Sequence, residues 1–157
     1  MRLSTIAITL QSISLSITVL ASYKTPHVAQ ENKTFDCVYN TFDATTLMNQ
    51  ISTINYYGGI NQLRQIQSQE LDALYTSRWG NAKAMYHDDG STVTHYLYEL
   101  QGIEDNINKY KYTLVVNNKV RACAVLERVI PQNSDMGDSE DGYSGSSLAN
   151  SKLCSIR

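Results

Sequence analysis

Residues 92–100 (TVTHYLYEL), 110–116 (YKYTLVV) and 119–130 (KVRACAVLERVI) decide the fold of this chain. Each is rich in Tyr, Val, Thr or Leu, residues that fit a pleated, half-buried surface, and each reads with a period of two. Residues 82–87 (AKAMYH) have the same character. Asp88-Asp89-Gly90-Ser91 separates the first two of these four runs and Asn117-Asn118 the last two, and both turns tolerate the positive φ of a tight hairpin. The four runs predict an antiparallel meander. Along the second strand Val93, His95, Leu97 and Glu99 alternate to one face, with Thr94, Tyr96, Tyr98 and Leu100 on the other.

Upstream of residue 82 the period changes. Asp43 stands where an N-cap is needed, and Ala44, Leu47, Met48, Ile51 and Ile54 recur at helical spacing until Gly58-Gly59. Phe42, just before the cap, is placed to pack on Leu47 as a hydrophobic staple. The stripe Leu47, Met48, Ile51 and Ile54 reads as core. A second stretch, 61–80 (NQLRQIQSQELDALYTSRWG), keeps Leu63, Ile66, Ala73 and Leu74 near one face and predicts a weaker helix or helical loop ending near Gly80. The expected architecture is α+β, with one main helix packed on an antiparallel sheet.

The ends of the chain set its compartment. Met1-Arg2 is followed by Ile6, Ile8, Leu10, Ile13, Leu15, Ile17, Val19 and Leu20, then by Ala21-Ser22, the parts of a secretory signal peptide cut after Ala21. A membrane anchor fits less well, because serines and threonines interrupt the stretch and no basic stop-transfer cluster follows. Residues 1–21 therefore read as a leader and 22–157 as one secreted domain, with no membrane span in the mature form. Residues 22–33 (SYKTPHVAQENK) are polar without periodicity and predict a mobile arm. Asn32-Lys33-Thr34 is a glycosylation sequon, which marks an exposed surface if used.

Three cysteines leave one odd in an oxidising pathway. Cys37 and Cys154 sit in polar surroundings near the two ends of the domain, whereas Cys123 lies inside a strand-like run. The expected bridge is Cys37–Cys154, with Cys123 a small buried strand residue. The acidic, Ser/Gly-rich stretch 131–151 then reads as a long surface loop that returns Cys154 to Cys37. No cysteines or histidines have ligand-like spacing, so no metal is expected, and no cofactor motif is present.

Charge bears on the partner. Without Arg2, 12 of the 13 basic residues remain against 15 acidic ones, a net charge of about −3 with neutral histidines. No dense basic run exists for phosphate neutralisation, so nucleic-acid binding would need a local site. Cleaving RNA through a cyclic phosphate requires a base, an acid and a cation. The available groups are His27, His87, His95, Glu99 and Glu127, with Lys111, Arg121 and Arg128 as cations. His95 and Glu99 are four apart on one strand, too far for a single proton relay. Hairpin register leaves open whether His87 approaches either. Tyr86, Tyr96, Tyr98, Tyr110 and Tyr112 offer either a stacking surface for bases or ordinary sheet packing.

The order of leader, Phe35-Asp36-Cys37, helix, tyrosine-rich meander and C-terminal cysteine resembles the ribonuclease-like secreted effectors of powdery mildew fungi, the RALPH class. That class is similar in fold to small fungal guanyl-specific ribonucleases. The resemblance implies a microbial ribonuclease-like fold in which HYLYELQGI is the glutamate-bearing strand, with Glu99 a relic of the general base. It departs from the active enzymes where Thr113 replaces an arginine, where Leu126-Glu127-Arg128 occupy the place of the acid histidine, and where Tyr86-His87 only loosely matches the first catalytic strand. Each missing group is typically worth about 10² to 10⁴-fold in rate. A pseudo-ribonuclease follows, with Glu99 and His87 as relics. The resemblance implies a virulence or avirulence effector moved into the host plant cell, where it binds host protein, an intracellular immune receptor among them, or RNA. Residues 61–80, 88–91 and 132–150 are the expected contact surfaces. An active secreted ribonuclease and an apoplastic inhibitor of host enzymes are the alternatives.

Overall fold

The computed structural model describes residues 23–74, 82–87, 94–132, 148 and 150–157. The expected leader, the 88–91 turn, the end of the 61–80 stretch and nearly all of the acidic loop lie outside the described residues. In chain order the elements are β1 (Lys24–Pro26), β2 (Phe35–Asp36), β3 (Thr41–Phe42), α1 (Ala44–Tyr56), β4 (Arg64–Ile66), α2 (Ser68–Ala73), β5 (Met85–His87), β6 (His95–Glu104), β7 (Asn108–Asn117), β8 (Ala122–Pro131), β9 (Lys152–Leu153) and β10 (Ser155–Ile156). Single 3-10 turns occupy Gln30–Asn32 and Gly59–Gln62.

β4-β6-β7-β8-β9 form a five-stranded antiparallel sheet, β10-β2-β3 a three-stranded antiparallel one, and β1 and β5 a parallel pair. The architecture is therefore mixed α+β with one main helix. The cap expected at Asp43 is present: its side chain accepts the Thr46 N–H at 2.8 Å. The helix ends before Gly58, whose φ of 104° lies in the left-handed region. Leu47 and Ile54 are buried against Leu100, Tyr112, Leu114, Val116 and Val125, each contributing about 2 kcal/mol of apolar burial. Met48, read as part of the same stripe, is 49% exposed.

β7 and β8 are covered on both faces, so burial over 122–127 is continuous rather than alternating. One face, with Leu114, Val116 and Val125, meets α1; the other, with Val115, Ala124 and Leu126, meets Tyr23, Ile66, Leu71 and Met85. A bulge between Val115 and Val116 leaves Cys123 as the extra residue, because Val115 pairs with Ala124 and Val116 with Ala122. Cys123 is buried and outside the disulfide, as expected.

Four expectations change in the structure. The 22–33 arm is not loose over its described residues, 23–33: β1 pairs with β5, Tyr23 and Lys33 are fully buried, and the Tyr23 hydroxyl donates to Asp72, which also takes Lys24 at 2.7 Å. The 61–80 stretch is helical only over Ser68–Ala73 in its described part, because Arg64–Ile66 runs extended along the edge of β6 and satisfies it. With β4 on one side of His95–Leu97 and β7 on the other, β6 has no edge there for β5, and the expected hairpin between those two strands gives way to the β1–β5 pair. Finally, the left-handed position in the β7–β8 turn falls at Val120, with φ 54°, rather than at Asn117 or Asn118. Asn117 instead uses its side-chain oxygen to accept the N–H groups of Lys119 and Arg121 at 2.9 and 3.0 Å.

The expected disulfide joins the ends. Cys37 and Cys154 are bonded with Cα atoms 4.5 Å apart across 117 residues of sequence. A loop of that length stabilises by up to about 4 to 5 kcal/mol on the chain-entropy account. Around it β10 pairs with β2, and Arg157 N–H donates to Thr34 O at 3.1 Å.

Candidate functional site

Strand register gathers the polar candidates on the sheet face opposite α1. Leu97, Val115, Ala124 and Leu126 belong to the second core, and alternation along each strand puts Glu99, Thr113, Lys111 and Arg128 on that same side. Glu99 lies directly across from Thr113, Thr113 across from Leu126, and Lys111 across from Arg128. Diagonal neighbours on adjacent strands are about 7 to 8 Å apart, within reach of long side chains. A carboxylate, a hydroxyl, an ammonium and a guanidinium therefore share one patch just past the apolar core. Position 113 carries no cation, yet two flank it. Reading that strand residue by residue misses them, because only the register of β7 with β8 brings Lys111 beside Arg128.

The patch contains no imidazole. His95 shares the face of Glu99, but it is buried two pleats away, opposite Ile66 and Asn117. His87 stands in β5 opposite Pro26. His27 contacts Lys33 and Cys123. These are the three histidines of the chain. Arg121 begins the return from the β7–β8 turn, seven residues along from Arg128. Of the groups an active ribonuclease would need, register puts Glu99 and Arg128 on one face, with β7 between them, and leaves His87 and Arg121 elsewhere.

The five candidate tyrosines do not form a stacking platform. Tyr86, Tyr110 and Tyr112 are buried, and half-buried Tyr96 and Tyr98 pack against the same core as α1. Phe42 meets the edge of Tyr112 with ring centroids 5.0 Å apart, so the staple residue extends across the sheet. Burial first, then the charge of Glu127 on the facing strand, push the Tyr112 phenol well above the usual tyrosine range. The hydroxyl makes no hydrogen bond of ordinary geometry.

Glu127 has a role that its position in an apolar run only hints at. It is buried, and its two oxygens accept the main-chain N–H groups of Val38 and Tyr39 at 3.2 Å each. It thus anchors the loop immediately after Cys37. The sequence signal was a glutamate inside ACAVLERV, a burial that requires hydrogen-bond partners. Asn32 of the sequon is exposed in a 3-10 turn, next to the buried Lys33.

Comparison with family models, with curated proteins and with solved structures gave no match. Among the described residues, no helix is long and apolar enough to cross a membrane, and no group of three or more histidine, cysteine or acidic side chains is placed to hold a metal ion.

Proposed function

We propose that this chain is a secreted effector of the RALPH class, a ribonuclease-like scaffold without catalysis that acts in the host plant cell by binding a host protein. The observation that supports the non-catalytic reading is the distribution of the three histidines. None shares the Glu99–Thr113 and Lys111–Arg128 rungs, so no histidine stands beside Glu99 on those rungs as the acid of phosphoryl transfer. The acidic balance of the mature chain supports a protein partner over RNA. An intracellular immune receptor is one such partner.

RNA binding is the second reading, favoured by the Lys111–Arg128 pair beside Glu99. Its affinity would depend steeply on salt, since it would rest on phosphate neutralisation.

Incubating the oxidised chain 22–157 with RNA, beside an active ribonuclease and the Glu99→Gln variant, tests the proposal. Cleavage at background level in both forms is expected. Cleavage by the wild type that Glu99→Gln abolishes would overturn it and make Glu99 a working base.

A further inference from the structure

Residues 23–33 lie across β5 and β8 and contribute a chain of polar groups unconnected with the Glu99 patch. Lys33 is fully buried; its Nζ donates to the carbonyl of Ala122 at 2.7 Å, lies 3.0 Å from His27 Nδ1, and sits 5.0 Å from the Tyr86 ring centroid. An ammonium can only donate, so Nδ1 of His27 must accept. The proton of the neutral ring is then on Nε2, which points at Cys123 Sγ 3.7 Å away. The thiol in turn donates to the carbonyl of Arg121 at 3.4 Å. His27 also stacks on Tyr86, with centroids 5.7 Å apart and planes at 18°. The run Lys33–His27–Cys123–Arg121 is thus one directed hydrogen-bond chain, and it works only with a neutral imidazole.

We propose that this chain makes residues 27–33 a pH-sensitive strap, closed over Cys123 at neutral pH and released when His27 gains its second proton. A proton on Nδ1 removes the acceptor that Lys33 uses and sets two cations 3.0 Å apart. Among the groups the ring meets are Lys33, Cys123 and the Tyr86 ring. Burial pushes the Tyr86 phenol above its ordinary range. His87, the next residue along β5, lies opposite Pro26.

The sign follows from proton counting. A released strap takes up the proton in the ordinary histidine range, about pH 6 to 7, whereas the closed strap must first break its bond to Lys33. The released form therefore binds more protons below that range, and closure weakens as pH falls through it. Tyr23 and Lys24 are tied to Asp72, which anchors the start of the arm outside the segment carrying His27 and Lys33.

Cys123 is the one thiol outside the disulfide and reports directly on closure. Its rate of reaction with a dipyridyl disulfide, which labels thiols in acid as well as at neutrality, is divided by the rate for the urea-unfolded chain at the same pH, which cancels thiol chemistry. Relative protection should fall about tenfold between about pH 7.5 and about pH 5 in the wild type. In His27→Asn, whose amide oxygen can accept near the place of Nδ1 without titrating, the change should stay within about twofold. Constant wild-type protection, or an equal loss in His27→Asn, overturns the proposal. Should that variant fail to fold, the imidazole nitrogens of the wild type, read by NMR, remain decisive together with the wild-type profile: an unprotonated Nδ1 at neutral pH supports the strap and a protonated one overturns it.

Discussion

Glu127 of β8 accepts the main-chain N–H of Tyr39 at 3.2 Å, a bond that spans 88 residues of sequence, and its other oxygen takes the N–H of Val38. The pair ties the loop after Cys37 to the middle strands, while the Tyr39 ring rests on Tyr110 with centroids 4.2 Å apart.

Removing that carboxylate leaves two part-buried donors without their acceptor, each worth about 1 to 3 kcal/mol. Glu127→Ala should therefore lose about 2 kcal/mol of stability in urea unfolding at neutral pH. Glu127→Gln, which keeps one acceptor oxygen, should lose less. Equal losses in the two variants would mean that packing rather than acceptance holds the loop.

Val120 is a β-branched residue held at φ 54°, in the left-handed region where side chains of its kind rarely sit. A non-glycine residue there costs about 1 to 2 kcal/mol, and asparagine tolerates the position best after glycine. Val120→Asn should raise the urea midpoint by an amount equivalent to about 1 kcal/mol, less what Val120 contributes through its contacts with the α1-side core. A lower midpoint would show that those contacts outweigh the backbone strain.

Asp105 organises the β6–β7 turn. Its carboxylate accepts from Ile107 N–H at 2.8 Å, Asn108 N–H at 2.7 Å and the Tyr110 hydroxyl at 2.7 Å, and these bonds, Tyr110's first, hold it below the usual carboxylate range. A depressed carboxyl stabilises the fold above its unfolded value, about 3.9, and that contribution disappears as pH falls through the folded value. Stability should therefore decline below about pH 4, and Asp105→Asn should flatten the decline while lowering stability at neutral pH. Parallel acid profiles for the two proteins would assign the loss to other carboxyls, Asp43 at the helix cap among them.

Several elements were legible because their signals are local. Asp43, the helical stripe and Gly58 mark α1 within a residue or two, and β6, β7 and β8 fall on the three alternating runs. Each strand differs by a few residues from its run: β6 continues to Glu104, β7 covers 108–117, and β8 starts at Ala122. At Gly102, within the irregularity between Leu100 and Ile103, a Cβ would meet the Tyr110 carbonyl at 2.7 Å, so the close approach of the two backbones there requires glycine. The candidate site was legible as a set of residue types and not as a place. Glu99, Lys111 and Arg128 were all candidates, but neither spacing nor propensity pairs Lys111 with Arg128 or sends His87 to another strand pair.

The sequence by itself determined the α+β class, the long helix, the three long strands and the Cys37–Cys154 bridge. Those features follow from periodicity, capping and the chemistry of an odd thiol inside a strand, all of which act over short distances along the chain. Tertiary structure alone decided that a polar arm is built into the core, that Arg64–Ile66 closes the edge of β6, and where Lys33 and Glu127 find partners. Both faces and the free edges of a sheet must be covered, and the groups that cover them are far away in sequence: Lys33 meets Ala122 across 89 residues. A lysine or glutamate reads as a surface residue until the fold supplies the carbonyl or N–H groups that make its burial favourable.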